Sequence, residues 1–198
     1  MALLSAYLAR ARRARILPHV RGDVLDIGCQ HGQLCGHAAD RIDRYVGVDL
    51  SESDIEQARR AHPEREFKVI NVDDEPLGYD AAFDTIVMGA VVEHIFNLKH
   101  LGQGLARALR PGGHVVLTTP TPFGNDAVHR LGAMIGLFSQ VAVDDHIVIF
   151  NRQRLKIFAH EVGLRLAKHE LFQFGCNQVA VLEKPGSSSA VAVEPLKA

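Results

Sequence analysis

The stretch "DVLDIGCQHGQL" at 23–34 constrains this chain more than any other. An apolar β-rich run, Asp23 to Ile27, enters a loop holding Gly28 and Gly32. A helical pattern then begins, with Leu34, Ala38 and Ile42 on one face. A glycine turn between strand and helix lets backbone N–H groups approach a ligand, and the helix directs its positive end there. Asp49 closes the next β-rich run, "RYVGVD", and its carboxylate is spaced to accept hydrogen bonds from ribose hydroxyls. A dinucleotide fingerprint would need its third glycine at position 33, which is Gln33. A Walker loop would need a following lysine–serine or lysine–threonine pair, and none follows.

The same alternation continues down the chain. "SESDIEQARRAH" reads as a helix with Ser51 or Ser53 as its cap, "EFKVIN" as a third strand and "FDTIVMG" as a fourth. Leu98, Leu101, Leu105 and Leu109 form an apolar stripe that stops at "PGG", and "HVVLTTP" is a fifth strand. Repeating strand–helix units of this kind require a mostly parallel sheet covered by helices on both faces. After Pro120 the rhythm changes. Val128, Leu131, Ile135 and Phe138 suggest a short helix between two loops. Leu155, Phe158, Ala159 and Val162 suggest another ending at Gly163, and "LRLAKHELF" and "NQVAVLEK" are two closing β-rich runs. The expected organisation is one α/β domain over 1–184. It has an N-terminal helical segment at 1–20, where Leu3, Leu4, Tyr7, Leu8 and Ala11 share one side of a helix over 3–17, a cover over the substrate site at 121–150 and a disordered tail at 185–198.

Composition narrows the partners. The chain has 198 residues, 47% of them hydrophobic, which suits a single domain with a substantial core. A formal charge of −1 offers no bulk attraction to nucleic acid. Three scattered cysteines read as free thiols in a reducing compartment, and no apolar run approaches membrane-spanning length. A cytoplasmic address is expected, with no metal. Arg10, Arg12, Arg13, Arg15 and Arg21 precede or flank the end of the first helix. They read first as solvent-facing, and secondarily as contacts to a phosphate-bearing substrate or an anionic membrane surface. Oligomeric state is not legible here.

Over residues 20–184 the chain resembles the class I S-adenosylmethionine-dependent methyltransferases, most closely the small-molecule branch that includes ubiquinone-biosynthesis enzymes. "VLDIGCQHG" is similar to that family's cofactor loop, with Gln30 where glycine is usual. "YVGVDLSE", "INVDDEPL", "FDTIVMGAVVEHI" and "LARALRPGGHVVLTTP" are similar to the motifs that follow in order, and "DDHIVIFNRQRLKIFAHEVGLRL" to a later histidine-plus-helix segment. The resemblance implies a Rossmann-like, seven-stranded mixed sheet in the order 3-2-1-4-5-7-6, and S-adenosylmethionine as cofactor. It implies that Asp26 and the loop Gly28, Cys29, Gln30 and Gly32 handle the methionine end. Asp49, with Leu50 beside it, would take the ribose. Val72 and Asp73 would take the adenine, and Met88 and Gly89 would line the cofactor.

Methyl transfer to a hydroxyl benefits from a base that titrates near neutrality. His94 and His146 are the candidates, and His31 is a further candidate pocket residue. The expected reaction is methylation, at oxygen for preference, of a small or medium organic molecule that is apolar, lipid-linked or phosphorylated. One alternative is an inactive scaffold or regulatory protein of the same fold. Another is metal-assisted RNA 2′-O-methylation through Glu93, His94 and His146. That reading lacks a ligand, because Ala90 stands where the resembling enzymes have a further glutamate.

Overall fold

The computed structural model describes residues 2–126 and 147–186, with side chains from residue 7 onward. The helix expected around 128–138, His146 and most of the expected tail lie outside the described residues.

The chain opens with α1 (Ala2–Ile16) and enters β1 (Gly22–Ile27). The short α2 (Gln33–His37), β2 (Ile42–Asp49), α3 (Glu52–Ala61) and β3 (Glu66–Val69) follow. Next come β4 (Phe83–Gly89), α4 (Leu98–Ala108), β5 (Leu109–Pro120), α5 (Arg152–Glu161), β6 (Arg165–Phe172) and β7 (Asn177–Glu183). The seven strands form one sheet in the order β3-β2-β1-β4-β5-β7-β6. The central pairs are parallel, and β7 runs antiparallel to both β5 and β6. This is the Rossmann-like class I methyltransferase architecture that the motifs implied.

Because successive side chains point to opposite sheet faces, each central strand feeds two apolar layers. Leu25, Ile27, Ile86, Met88 and Leu117 pack with Leu101 and Leu105 of α4 and Leu155 and Phe158 of α5. Val24, Tyr45, Val87 and Val116 pack on the other side with Ile16, Leu34, Ile55 and Ala58. The residues that complete these layers are almost wholly buried, so the sheet sits at the centre and its strand ends form a rim. The helices are anchored by local chemistry. Ser51, Asn97 and Asn151 accept the N–H of Asp54, His100 and Arg154 at the starts of α3, α4 and α5.

The first helix departs from its sequence reading. Tyr7, placed with Leu8 and Ala11 on the packing side, is 59% exposed, whereas Ala11 packs against the core as expected. The inward face carries Ile16, packed into the core, and a half-buried Arg12 one turn earlier. One of the arginines expected to face solvent therefore turns toward the sheet.

Candidate functional site

The crevice lies at the carboxyl ends of β1 and β4, where the strand order reverses, the place where ligands bind in open α/β sheets. A cavity of about 180 Å³ opens there. The residues of the expected set on its wall are Gly28, Asp49, Leu50, Val72, Asp73 and His94. Ligand pockets hold roughly 300–1,000 Å³, so the described wall suits part of a nucleoside-sized ligand. A larger hollow of about 430 Å³ lies between α4 and the loop that carries Glu75 to Asp80.

Asp49 organises the loop. Its Oδ2 accepts the backbone N–H of Gln30 at 2.9 Å and its Oδ1 that of Ser51 at 3.0 Å. An ionised carboxylate has about four acceptor positions, so this one retains capacity for two more donors. A ribose presents two hydroxyls, and the donor set fits it. Leu50, 68% exposed at the same mouth, adds an uncovered apolar surface.

Gln30 departs from the usual glycine without disturbing this arrangement. It adopts φ +46°, in the region glycine favours, and its exposed side chain points away from the buried loop interior. Gly28 is under a harder constraint. Its φ is +73°, and a Cβ there would overlap Cγ2 of Val91. The loop N–H groups are mostly engaged within the protein. Gly28 and Cys29 both donate to the Val48 carbonyl, and Gly32 donates to the Cys29 carbonyl. The Cys29 side chain is buried, close to Gly47 and away from the mouth.

Asp26 lies beneath the loop, 6% exposed, and accepts the Tyr45 hydroxyl at 2.7 Å. Burial pushes its carboxyl up to about 7, against the Tyr45 hydrogen bond and with the help of the Asp49 charge. Asp73 sits at the far wall, where its Oδ1 accepts the Asn97 N–H at 2.8 Å and ties the loop after β3 to the start of α4. Met88 is fully buried, and Ile16 of α1 closes over the position of Gly89. Neither reaches the described cavity wall. Val91, Ile95 and Asn71 do reach it. All three fall inside the motifs after β4 and β3, but as residues with no assigned contact.

His94 lines the cavity from the short helical turn Val92–His94, and His146 is outside the described residues. The adjacent Glu93 is in sequence a candidate only for the metal reading. It points away from solvent, 1% exposed, and burial pushes its carboxyl up. Among the described residues no group of three or more histidine, cysteine, aspartate or glutamate side chains is arranged to hold a metal. No helix of the described chain is long and apolar enough to cross a membrane.

A family model described as a methyltransferase domain matches residues 3–169. A ubiquinone biosynthesis O-methyltransferase from Idiomarina loihiensis is 30% identical over 100 residues, which are 48% of this chain and 41% of that protein. The 27-O-demethylrifamycin SV methyltransferase of Amycolatopsis mediterranei is 32% identical over 155 residues, 68% of this chain and 54% of that one. The chain thus spans about half or less of the length of these curated relatives. A solved S-adenosylmethionine-dependent methyltransferase from Mesorhizobium loti superposes with a TM-score of 0.69 at 19% identity, over 88% of this chain and 96% of that one. That likeness establishes the fold.

Proposed function

The chain belongs to the class I S-adenosylmethionine-dependent methyltransferases, and we propose that it methylates a small or medium organic molecule, at oxygen. The observation that carries this reading is the Asp49 carboxylate. It ties the glycine loop through the Gln30 N–H and the start of α3 through the Ser51 N–H, and still faces a cavity bounded by Gly28, Leu50 and Asp73. S-adenosylmethionine, when bound, supplies an electrophilic methyl group on its sulfonium.

The chain's own residues then divide the work. Asp49 holds the ribose hydroxyls, Leu50 and Val72 cover apolar surface of the nucleoside, and Asp73 meets the adenine amino group. Asp26 supports the loop from below, through Tyr45 and the buried base of β1. Gly28 keeps the backbone close to the ligand. His94 at the cavity wall is the candidate base for a hydroxyl substrate. Oxygen is favoured because two relatives, the ubiquinone biosynthesis and the 27-O-demethylrifamycin enzymes, carry O-methylation in their names. Phe123, 62% exposed just beyond β5, supports a substrate with apolar surface.

Calorimetry tests the cofactor assignment directly. S-adenosylhomocysteine is expected to bind and NAD to give no heat. Asp49→Ala should weaken S-adenosylhomocysteine binding by about 1–3 kcal/mol, the scale of hydrogen bonds lost to a charged group. Wild-type affinity in this variant would remove Asp49 from the ribose.

A further inference from the structure

The turn between β6 and β7 holds three successive residues in the left-handed region: Gln173 at φ +52°, Phe174 at +57° and Gly175 at +83°. Glycine adopts that region freely, whereas a bulky aromatic residue there is strained. The bonds around the turn impose the strain. The Gly175 N–H donates to the Phe172 carbonyl and the Cys176 N–H to that of Gln173. Gln173 Oε1 accepts Nδ2 of Asn177 at 2.7 Å, and the Thr121 hydroxyl and N–H donate to the carbonyls of Gly175 and Cys176. What this fastened turn presents is Phe174, 101% exposed. A phenylalanine in water forgoes the free energy its burial would release, and imposed strain of this kind collects at functional surfaces.

Helix α1 supplies a facing wall. Tyr7, Ala14 and Arg15 stand across from Phe172 and Phe174 around an open hollow of about 580 Å³. Tyr7 is 59% exposed, and the Arg15 guanidinium lies 5.8 Å from the centre of the Phe172 ring. Arg10, also exposed, is one turn from both Tyr7 and Ala14 on the helix surface. No acidic residue precedes Asp23 in the chain. Glu170 on the neighbouring β6 is already paired with Lys168 at 3.1 Å. Among the described residues neither Arg10 nor Arg15 has a carboxylate partner. Exposed rings therefore stand beside positive charge that nothing in the described chain neutralises. The turn also has a fixed place in the fold. Pro120, at the carboxyl end of β5, pairs with Asn177, and Thr118 two residues earlier pairs with Gly89 at the carboxyl end of β4. The aromatic turn thus lies at the same end of the sheet as the cofactor crevice.

We propose that this face docks on an anionic phospholipid surface, with Phe174 and Tyr7 inserted among the headgroups and Arg10 and Arg15 against the lipid phosphates. Apolar insertion and attraction of basic side chains to anionic lipid are the two forces that hold a peripheral protein at a membrane. A protein partner would ask for a contiguous surface burying about 1,000 Å² or more. Here the rings protrude singly with arginines between them, a pattern that a fluid headgroup layer accommodates and a fixed protein surface does not. Docking holds the rim of the crevice at the lipid–water boundary. The proposal is independent of the methyl-transfer reading above.

Co-sedimentation of the full chain with sucrose-loaded vesicles tests the proposal. Partition onto mixed phosphatidylglycerol–phosphatidylcholine vesicles is expected to exceed that onto phosphatidylcholine alone by about tenfold or more, and to fall as salt screens the charges. Arg10→Gln and Arg15→Gln should each weaken partition about fivefold, the effect of one basic side chain at an anionic surface. Phe174→Asn removes the inserted ring and suits the left-handed turn. It should weaken partition about tenfold and leave the far-UV circular dichroism spectrum and the melting temperature no lower than those of the wild type. Excess glycerol 3-phosphate should leave partition unchanged; displacement at micromolar concentration would make the hollow a site for a free phosphate ester and overturn the docking. Equal partition onto neutral and anionic vesicles, no partition at all, or variants that partition as the wild type does would each overturn it as well. Binding to an RNA or DNA oligonucleotide, or self-association in sedimentation velocity, without vesicle partition would give the face to that partner and overturn the membrane assignment.

Discussion

Gln30 shows how a single residue can depart from a motif and keep its geometry. A side chain in the left-handed region costs roughly 1–2 kcal/mol relative to its ordinary conformation, and Gln30 carries that cost at φ +46° with its side chain outside. Gln30→Gly is therefore expected to raise stability by about 1 kcal/mol in urea denaturation and to leave S-adenosylhomocysteine affinity unchanged. A loss of stability would mean that the glutamine side chain makes a compensating contact. Asp26 makes a different prediction, on pH. The folded carboxyl keeps its proton up to about pH 7, while an unfolded aspartate releases it near 3.8. Across that interval the folded state binds more protons, so stability falls as pH rises. The contribution is complete below the unfolded value and is lost as pH rises through 7. Asp26→Asn, which keeps the shape and cannot ionise, should flatten the decline of Tm between pH 4 and pH 7. An unchanged slope would assign the decline to other groups.

At the scale of elements, helix starts and helix faces behaved differently. Caps are local: Ser51 was legible as one of two candidates, and the structure selects it because its Oγ accepts the Asp54 N–H. Asn151 caps α5 by the same chemistry, accepting the Arg154 N–H at 2.9 Å. Asn151→Ala should cost about 1 kcal/mol of stability, with S-adenosylhomocysteine affinity retained in calorimetry. Asp73→Ala removes the bond to the Asn97 N–H that steadies α4 and should lower both stability and affinity. A variant that lost stability alone would separate Asp73 from the adenine. The orientation of α1 was not local. Its apolar residues suggested a packing face through Tyr7, but the face that turns inward is set by what the rims of β4 and β5 offer. That choice brings Arg12 into the interior.

On the scale of the whole molecule, the antiparallel β7 pairs with β5 and β6 along its length, and one buried side chain reinforces that pairing. Gln178 donates from Nε2 to the carbonyls of Pro120 and Phe150, at 3.1 and 2.7 Å, and its Oε1 pairs with His169 Nε2 at 2.8 Å. It thereby joins β5, the segment before α5, and β6 to β7. Gln178→Met should cost about 2–3 kcal/mol in chemical denaturation, since it leaves buried carbonyls without donors. A change below about 0.5 kcal/mol would show that water or a neighbour replaces the amide. The alternation of strands and helices, the glycine loop and the Asp49 spacing are written in runs of a few residues. Periodicity and turn chemistry act within such runs, so the α/β class and the position of the crevice were legible in the sequence itself. The strand order followed from the resemblance of the motifs, and the pairing bears it out. The tertiary structure alone decided which loop N–H groups stay engaged, how deeply Asp26 is buried, and which side Glu93 faces. Desolvation and hydrogen-bond satisfaction depend on everything that packs around a group, much of it distant in the chain. Glu93 and His94 are consecutive in the sequence, yet packing buries the first and leaves the second at the cavity wall.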